Sequence, residues 1–264
     1  MPPTLRSAAG SDVGRRREIN QDSAVTSPRM LAVADGMGGH AHGEVASAVA
    51  IGALLDLDAR LRGADLAGTD LLAALRETID DAADRITGLA QQNPDLRGTG
   101  TTVVAFLVDG ARIGVLHLGD SRAYLLRDGE LHRLTRDHTL VQSLVDEGRI
   151  SEEEAASHPR RSWLVKTLQD SSTPEPDLFH VDGRSGDRYL ICSDGVTAVL
   201  EDQQIHEILA AVDDPAGAVE QLIARANAGG GPDNITCVVA DLLDDATPAE
   251  DTPVVVGSAA TTAP

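Results

Sequence analysis

Apolar and polar positions along this chain change period several times, and each change marks an element. Residues 24–27 (AVTS) and 30–35 (MLAVAD) are short apolar runs around Pro28 and read as strands. From Gly43 to Arg62 the apolar residues recur at helical spacing, and again from Asp70 to Gln91, where Asn93-Pro94 ends the period. Strand signals follow at 101–108, 112–119, 122–127 and 130–134, separated by DGA, DS and DG, which suit hairpins. This block predicts a meander of antiparallel strands. From Thr135 to Ser172 the chain turns polar, with a short helix near Leu140–Glu147 and a Ser-Glu-Glu-Glu at 151–154 that resembles a capping box. Strands resume at 177–181 and 187–194, and helical stretches at about 202–211 and 215–228 lead through a glycine turn into a last strand within 229–242. Hairpin-linked strands with helices bunched between them predict an α+β fold with antiparallel sheets. One domain is expected over 4–243, with 244–264, rich in Ala, Thr and Pro, as a disordered tail.

Composition narrows the picture. The 264 residues are 42% hydrophobic but only 2% aromatic, so one substantial core is expected, built from Ala, Val, Leu and Ile. The formal net charge of −20 argues against nucleic acid and against an anionic membrane surface, and is compatible with bound cations. No run approaches the ~20 apolar residues of a membrane span, and the N-terminus lacks the apolar middle of a signal peptide. A cytoplasmic protein is expected. Cys192 and Cys237 both lie in apolar runs and read as buried free thiols.

Four aspartates share a pattern. Asp35 ends LAVAD, Asp120 ends VLHLGD, Asp194 ends YLICSD, and Asp233 opens the last strand from GGGPDN. An aspartate in a hairpin turn is the plain reading of such a position, and it suits RDGE at 127–130 and VDGA at 108–111. Asp35 and Asp194 differ because they lead out of strands into helical stretches. If these strand ends converge, several carboxylates meet, and like charges share a site only with cations. Oxygen donors without Cys or His favour Mg2+ or Mn2+.

In this order the chain carries RREINQD (16–22), ADGMGGHAHGEVAS (34–47), GTGTT (98–102), LGDSRAYLLRDG (118–129), LTRDHT (134–139), HPRRSWLVKTLQ (158–169), ICSDGV (191–196) and GPDNITCVV (231–239). This series resembles the bacterial metal-dependent protein serine/threonine phosphatases of the PP2C, or PPM, type. The resemblance implies a central antiparallel β-sandwich flanked by helices on both faces, with metals at one end. It implies two central Mn2+ or Mg2+ ions held by Asp35, the Gly36 carbonyl, Asp194 and Asp233, and a third, weaker ion on Asp120 and Asp194. A water or hydroxide bridging the ions would attack phosphorus directly. Arg17 would clamp the phosphate, and Asp22 would support an ion through water. Gly36, Gly38 and Gly39 would let the backbone approach the cation. Ser162 and the pair Arg160 and Arg161 fall in a segment that matches the family's mobile flap, where Trp163 is expected to pack. Two positions depart from the pattern. Gln21 stands where the family has Glu, and Met37 where eukaryotic members have a His proposed as general acid, which leaves His40 as a candidate donor to the leaving oxygen.

The function implied is hydrolysis of phosphoserine and phosphothreonine in proteins phosphorylated by Ser/Thr kinases, by a monomer. A dedicated switch phosphatase for one regulatory partner is the nearest alternative, and a non-catalytic binding module is disfavoured by the intact set Arg17, Asp35, Asp120, Asp194 and Asp233.

Overall fold

The computed structural model describes residues 3–38, 42–170, 175–244 and 252–262. Two antiparallel sheets stack face to face. The first runs in the order β1 (Thr4–Asp12), β12 (Ile235–Leu243), β11 (Arg188–Cys192), β7 (Arg122–Arg127), β8 (Glu130–Arg133). The second runs β10 (Asp177–Asp182), β6 (Arg112–Leu118), β5 (Val103–Asp109), β3 (Met30–Met37), β2 (Asp22–Thr26), β13 (Val254–Gly257). Two short strands, β4 (Gly100–Thr101) and β9 (Leu168–Gln169), pair beside the end of β3.

Why the central strands are continuously apolar follows from the layers. In β3, Leu31 and Val33 face the other sheet while Met30, Ala32 and Ala34 face helices α1 (Gly43–Leu61) and α2 (Leu71–Gln92). In β12, Val238, Ala240 and Leu242 point between the sheets, and Ile235, Cys237 and Val239 pack under α6 (Asp202–Ala211) and α7 (Pro215–Ala228). Both faces of each sheet are covered, so the strands lose their polar alternation. The architecture is the expected four layers, helix–sheet–sheet–helix. The inter-sheet layer holds the aromatic pair Phe106 and Tyr189, edge-on at 5.7 Å. Cys192 and Cys237 face each other across the β11–β12 ladder as buried free thiols. Among the described residues no helix is long and apolar enough to cross a membrane.

Helix caps follow the sequence. The Asp70 carboxylate accepts from the amides of Leu72 and Ala73 to open α2, and Ser151 and Glu154 close the capping box of α4 (Glu152–Ala156). A further helix, α3, spans Leu140–Asp146, and a single turn, α5, spans Asp194–Thr197.

Two expectations need correction, and one strand lies where none is expected. The strands at 112–119 and 122–127 are not a hairpin: β6 belongs to the second sheet and β7 to the first, so the chain crosses the sandwich at 119–121. Gly119, at φ +110°, makes this turn, and a Cβ there would lie 2.5 Å from the Thr102 Cβ. The segment Thr4–Asp12 carries no periodic apolar signal, yet it pairs along its length with β12 as an edge strand. Its small residues admit a helix; a Cβ on Gly10 would lie 2.5 Å from the Val219 Cγ1 of α7. The supposed disordered tail is in part ordered. Val254–Gly257 adds to the open edge of β2, pairing Val255 with Val25 and Gly257 with Ser23, and a short helix α8 (Ser258–Thr262) follows. The β-branched Val254-Val255-Val256 run is the signal that bulk composition concealed. Residues 245–251 and 263–264 lie outside the described residues.

Candidate active site

Strand alternation that builds the inter-sheet core also builds the site. Asp35 keeps the parity of Leu31 and Val33, and Asp22 that of Ala24, so both carboxylates face between the sheets at the end of the sandwich. They are register partners across the β2–β3 ladder. Asp194 joins them where β11 gives way to α5, Asp233 from the turn before β12, and Asp120 from the crossing between β6 and β7. An open cavity of about 300 Å³ is lined by Asp35, Asp120, Asp194 and Asp233 together with Arg17 and Ser162. Gln21 and Gly36 also reach this cavity. Asp22 is fully buried.

Neutral groups hold these acids. The Asp35 amide donates to Thr102 Oγ1 (3.1 Å), and the Asp35 carbonyl accepts from the Thr102 amide (2.9 Å) and the Thr101 hydroxyl (2.9 Å). Thr102 Oγ1 also shares a hydrogen bond with Ser121 Oγ (2.7 Å), tying β3 to the crossing that carries Asp120. The Ser193 hydroxyl donates to Asp22 Oδ2 (2.8 Å), while Asp22 Oδ1 is buried without a hydrogen-bond partner among the described residues. Asn234 accepts from the Gln21 amide (2.8 Å) and donates to the carbonyls of Val13 and Ile19 (3.0 Å each), which pins the loop bearing Arg17. Thr102, Ser193 and Asn234 all fall inside the motifs of the sequence, but their roles emerge only from the fold.

Among the described residues only Asp233 of these acids has an ion-pair partner, Arg17. Burial, then repulsion from Asp120, Asp233 and Asp22, pushes the Asp194 carboxyl up to about 8. Burial followed by Asp22, Asp194, Asp120 and Asp233 raises Asp35 well above the carboxylate range. Burial raises Asp22 and Asp120 to about 6 each; the next influence on Asp120 is repulsion from Asp137. Arg17 is the cation on the cavity. It is half-exposed, donates to Asp233 Oδ2 at 2.7 Å, and has its pKa raised chiefly by that bond.

Gly36 has a tighter constraint than the sequence suggested. A Cβ there would lie 2.2 Å from the Gly43 carbonyl oxygen and 2.4 Å from that of Gln21. The protein's own backbone, rather than an ion alone, requires glycine at this position. Gln21 donates to Glu44 Oε2 (3.0 Å), and Glu44 also meets His42 Nδ1 (2.8 Å), so a carboxylate missed in the sequence stands behind Gln21. His40 and Gly39 lie outside the described residues. In the flap, Ser162 lines both the site and an adjoining cavity of about 450 Å³, which Arg161 also lines. Arg160 and Arg161 are exposed and form no ion pair with Glu152–Glu154 or any other described acid. Trp163 does not pack into a core: it is 56% exposed, with the Arg160 guanidinium 4.4 Å above its ring.

Residues 9–228 match the family model described as Protein phosphatase 2C, and the chain belongs to that family. It is 50% identical over 240 residues to the serine/threonine protein phosphatase PstP of Mycobacterium tuberculosis, covering 91% of this chain and 45% of that protein. The chain thus spans about half the length of this relative. It is 36% identical to the serine/threonine phosphatase stp of Listeria monocytogenes, covering 88% of this chain and 93% of that one. A crystal structure of the catalytic domain of PstP in complex with two manganese ions superposes with a TM-score of 0.84 at 47% identity, covering 92% of this chain and all of that one.

The raised carboxyls set a pH dependence for the chelated protein. A carboxyl whose pKa is raised on folding adds stability that is complete below its unfolded pKa, near 3.8, and is lost as pH rises through its folded value, about 8 for Asp194. In EDTA, Tm is therefore expected to fall between about pH 6 and about pH 8, and Mn2+ is expected to raise it more at the upper end. A Tm in EDTA that climbs across this range would contradict an uncompensated cluster.

Proposed function

We propose that this chain is a divalent-cation-dependent protein phosphatase that hydrolyses phosphoserine and phosphothreonine. The observation that carries the reading is the convergence of Asp35, Asp194 and Asp233, from three separate elements, with the Arg17 guanidinium on one open cavity. An acidic site of this kind receives a phosphate dianion only when cations offset its charge. The donors fit Mn2+ or Mg2+: the described lining supplies carboxylates and the Gly36 backbone, with no thiolate or imidazole, and an unpartnered Asp22 oxygen stands behind it. Asp35, Asp194 and Asp233 would hold two ions with the Gly36 carbonyl, and Asp120 with Asp194 a third. Such ions would supply Lewis acidity and lower the pKa of coordinated water.

The chain's own groups do the rest. Thr102 fixes Asp35 through backbone and side chain, and Ser193 fixes Asp22. Arg17 has one amino group on Asp233, which leaves the remainder of its fork to orient phosphate oxygens. We place the substrate among proteins phosphorylated by Ser/Thr kinases, in keeping with the names of the relatives, and the enzyme in the cytoplasm as a monomer. Arg160 and Arg161, exposed and without an ion-pair partner among the described residues, would receive an anionic phosphopeptide on an otherwise acidic protein.

With p-nitrophenyl phosphate and Mn2+, the wild type is expected to turn over and EDTA to abolish activity. Asp194→Asn should lower kcat by about three orders of magnitude; near-normal turnover in EDTA would overturn the proposal. Arg17→Ala should cost about 1.5–3 kcal/mol on kcat/KM, and Arg17→Lys should not restore it, since an ammonium lacks the planar fork; full recovery with Lys would remove the clamp role. Replacing Arg160 and Arg161 together with Ala should lower kcat/KM for phosphopeptides more than for p-nitrophenyl phosphate, with the gap closing as salt rises. Equal losses on both substrates would place these arginines in the service of the ion site instead.

A further inference from the structure

The turn that carries Asp120 across the sandwich is clamped on two sides. Thr102 packs against Gly119 from the β3–β5 side, close enough to exclude any side chain there. On the other side His138, in the loop between β8 and α3, forms a closed pair of hydrogen bonds with the same glycine. The His138 amide donates to the Gly119 carbonyl (2.8 Å), and the Gly119 amide donates to His138 Nδ1 (3.1 Å). The ring is 8% exposed, and its Nε2 lies 3.0 Å from Asp177 Oδ2, at the start of β10. Lys166 Nζ lies 3.3 Å from the other Asp177 oxygen.

These contacts fix the tautomer. Nδ1 accepts from an amide, so it carries no proton; Nε2 then carries the proton and donates it to Asp177. The His138 carbonyl also accepts from the Val165 amide (2.9 Å), which joins the flap to the same point.

His117, His138 and Asp177 stand close enough to suggest a second metal site, with both His117 ring nitrogens buried and without a hydrogen-bond partner among the described residues. The Gly119 bond argues against it. An ion on His138 Nε2 would require a proton on Nδ1, which would then face the Gly119 N–H donor to donor. His117 instead stacks on His138, with ring centroids 4.5 Å apart, and supports the ring by packing.

We infer that His138, oriented by Asp177, is a positioning residue for Asp120: it holds the Gly119–Asp120 turn at the distance from Asp194 that the weakest ion of the site needs. The inference rests on the reading of Asp120 as an ion ligand. The chain, stripped with chelator, is titrated with Mn2+ by calorimetry, with Tm recorded for each variant. Asp120→Asn reports on the underlying reading: it should remove the weakest ion, and its retention would refute the ligand role of Asp120 and, with it, the positioning role of His138. His138→Ala should weaken that ion about tenfold and leave the tighter ions unchanged. His138→Asn keeps an oxygen where Nδ1 stood, so it should restore most of the affinity, while Asp177→Ala should weaken the ion to a smaller degree. Wild-type Mn2+ binding in His138→Ala would overturn the inference if Asp120→Asn has lost the ion. Equal losses at all ions with a matching drop in Tm in both His138 variants would also overturn it, as a general structural effect. So would an ion lost in Asp177→Ala but kept in Asp120→Asn, which would place a metal on the histidine cluster.

Discussion

Mutual repulsion among carboxylates confined between two sheets is the constraint on which this structure turns. The inter-sheet layer is apolar along its length and becomes acidic at one end, where Asp22 and Asp35 occupy positions that Ala24 and Val33 fill one step further in. Burial alone disfavours each charge, and proximity disfavours them together. A carboxylate at each such strand end lowers stability unless something of opposite charge is bound, so the site is built to be completed from outside.

The surrounding frame fits that role. Thr101, Thr102, Ser193 and Asn234 are neutral; they fix the geometry of the acids and their loops without cancelling charge. Arg17 stands at the mouth, half-exposed, where it offsets part of the charge and still faces solvent. Two glycines beside the site, Gly36 near the end of β3 and Gly195 in the turn α5, are required by backbone contacts: a Cβ on Gly195 would fall 1.9 Å from the Asn234 carbonyl oxygen. Position and charge are thereby separated. The fold sets where the acids stand, and cations would set what they can do.

Much of this was legible in the sequence. The helices at 71–92, 202–211 and 215–228 follow the apolar period closely, because amphipathic helices over a sheet leave a strong periodic trace, while 43–61 stands out by its apolar content more than by a one-sided face. The acids were legible because each ends an apolar run. What was lost lay in pairing. Arg122–Arg127 reads as the next strand of a meander, yet nothing local says that Gly119–Ser121 carries the chain to the other sheet. Thr4–Asp12 is built of small residues that suit packing under α7 and give no period of their own. Val254–Val256 was hidden by its Ala, Thr and Pro surroundings. Gln21 looked like a lost charge, and only the fold shows Glu44 bonded behind it.

The most direct measurement is the anomalous scattering of Mn2+ in crystals of this chain grown with the ion and recorded at the manganese edge. Peaks are expected in the cavity between Asp35, Asp194 and Asp233, with a weaker one near Asp120. An empty acidic cavity at saturating Mn2+, or peaks only at His117, His138 and Asp177, would contradict the claim that the carboxylate cluster exists to hold divalent cations.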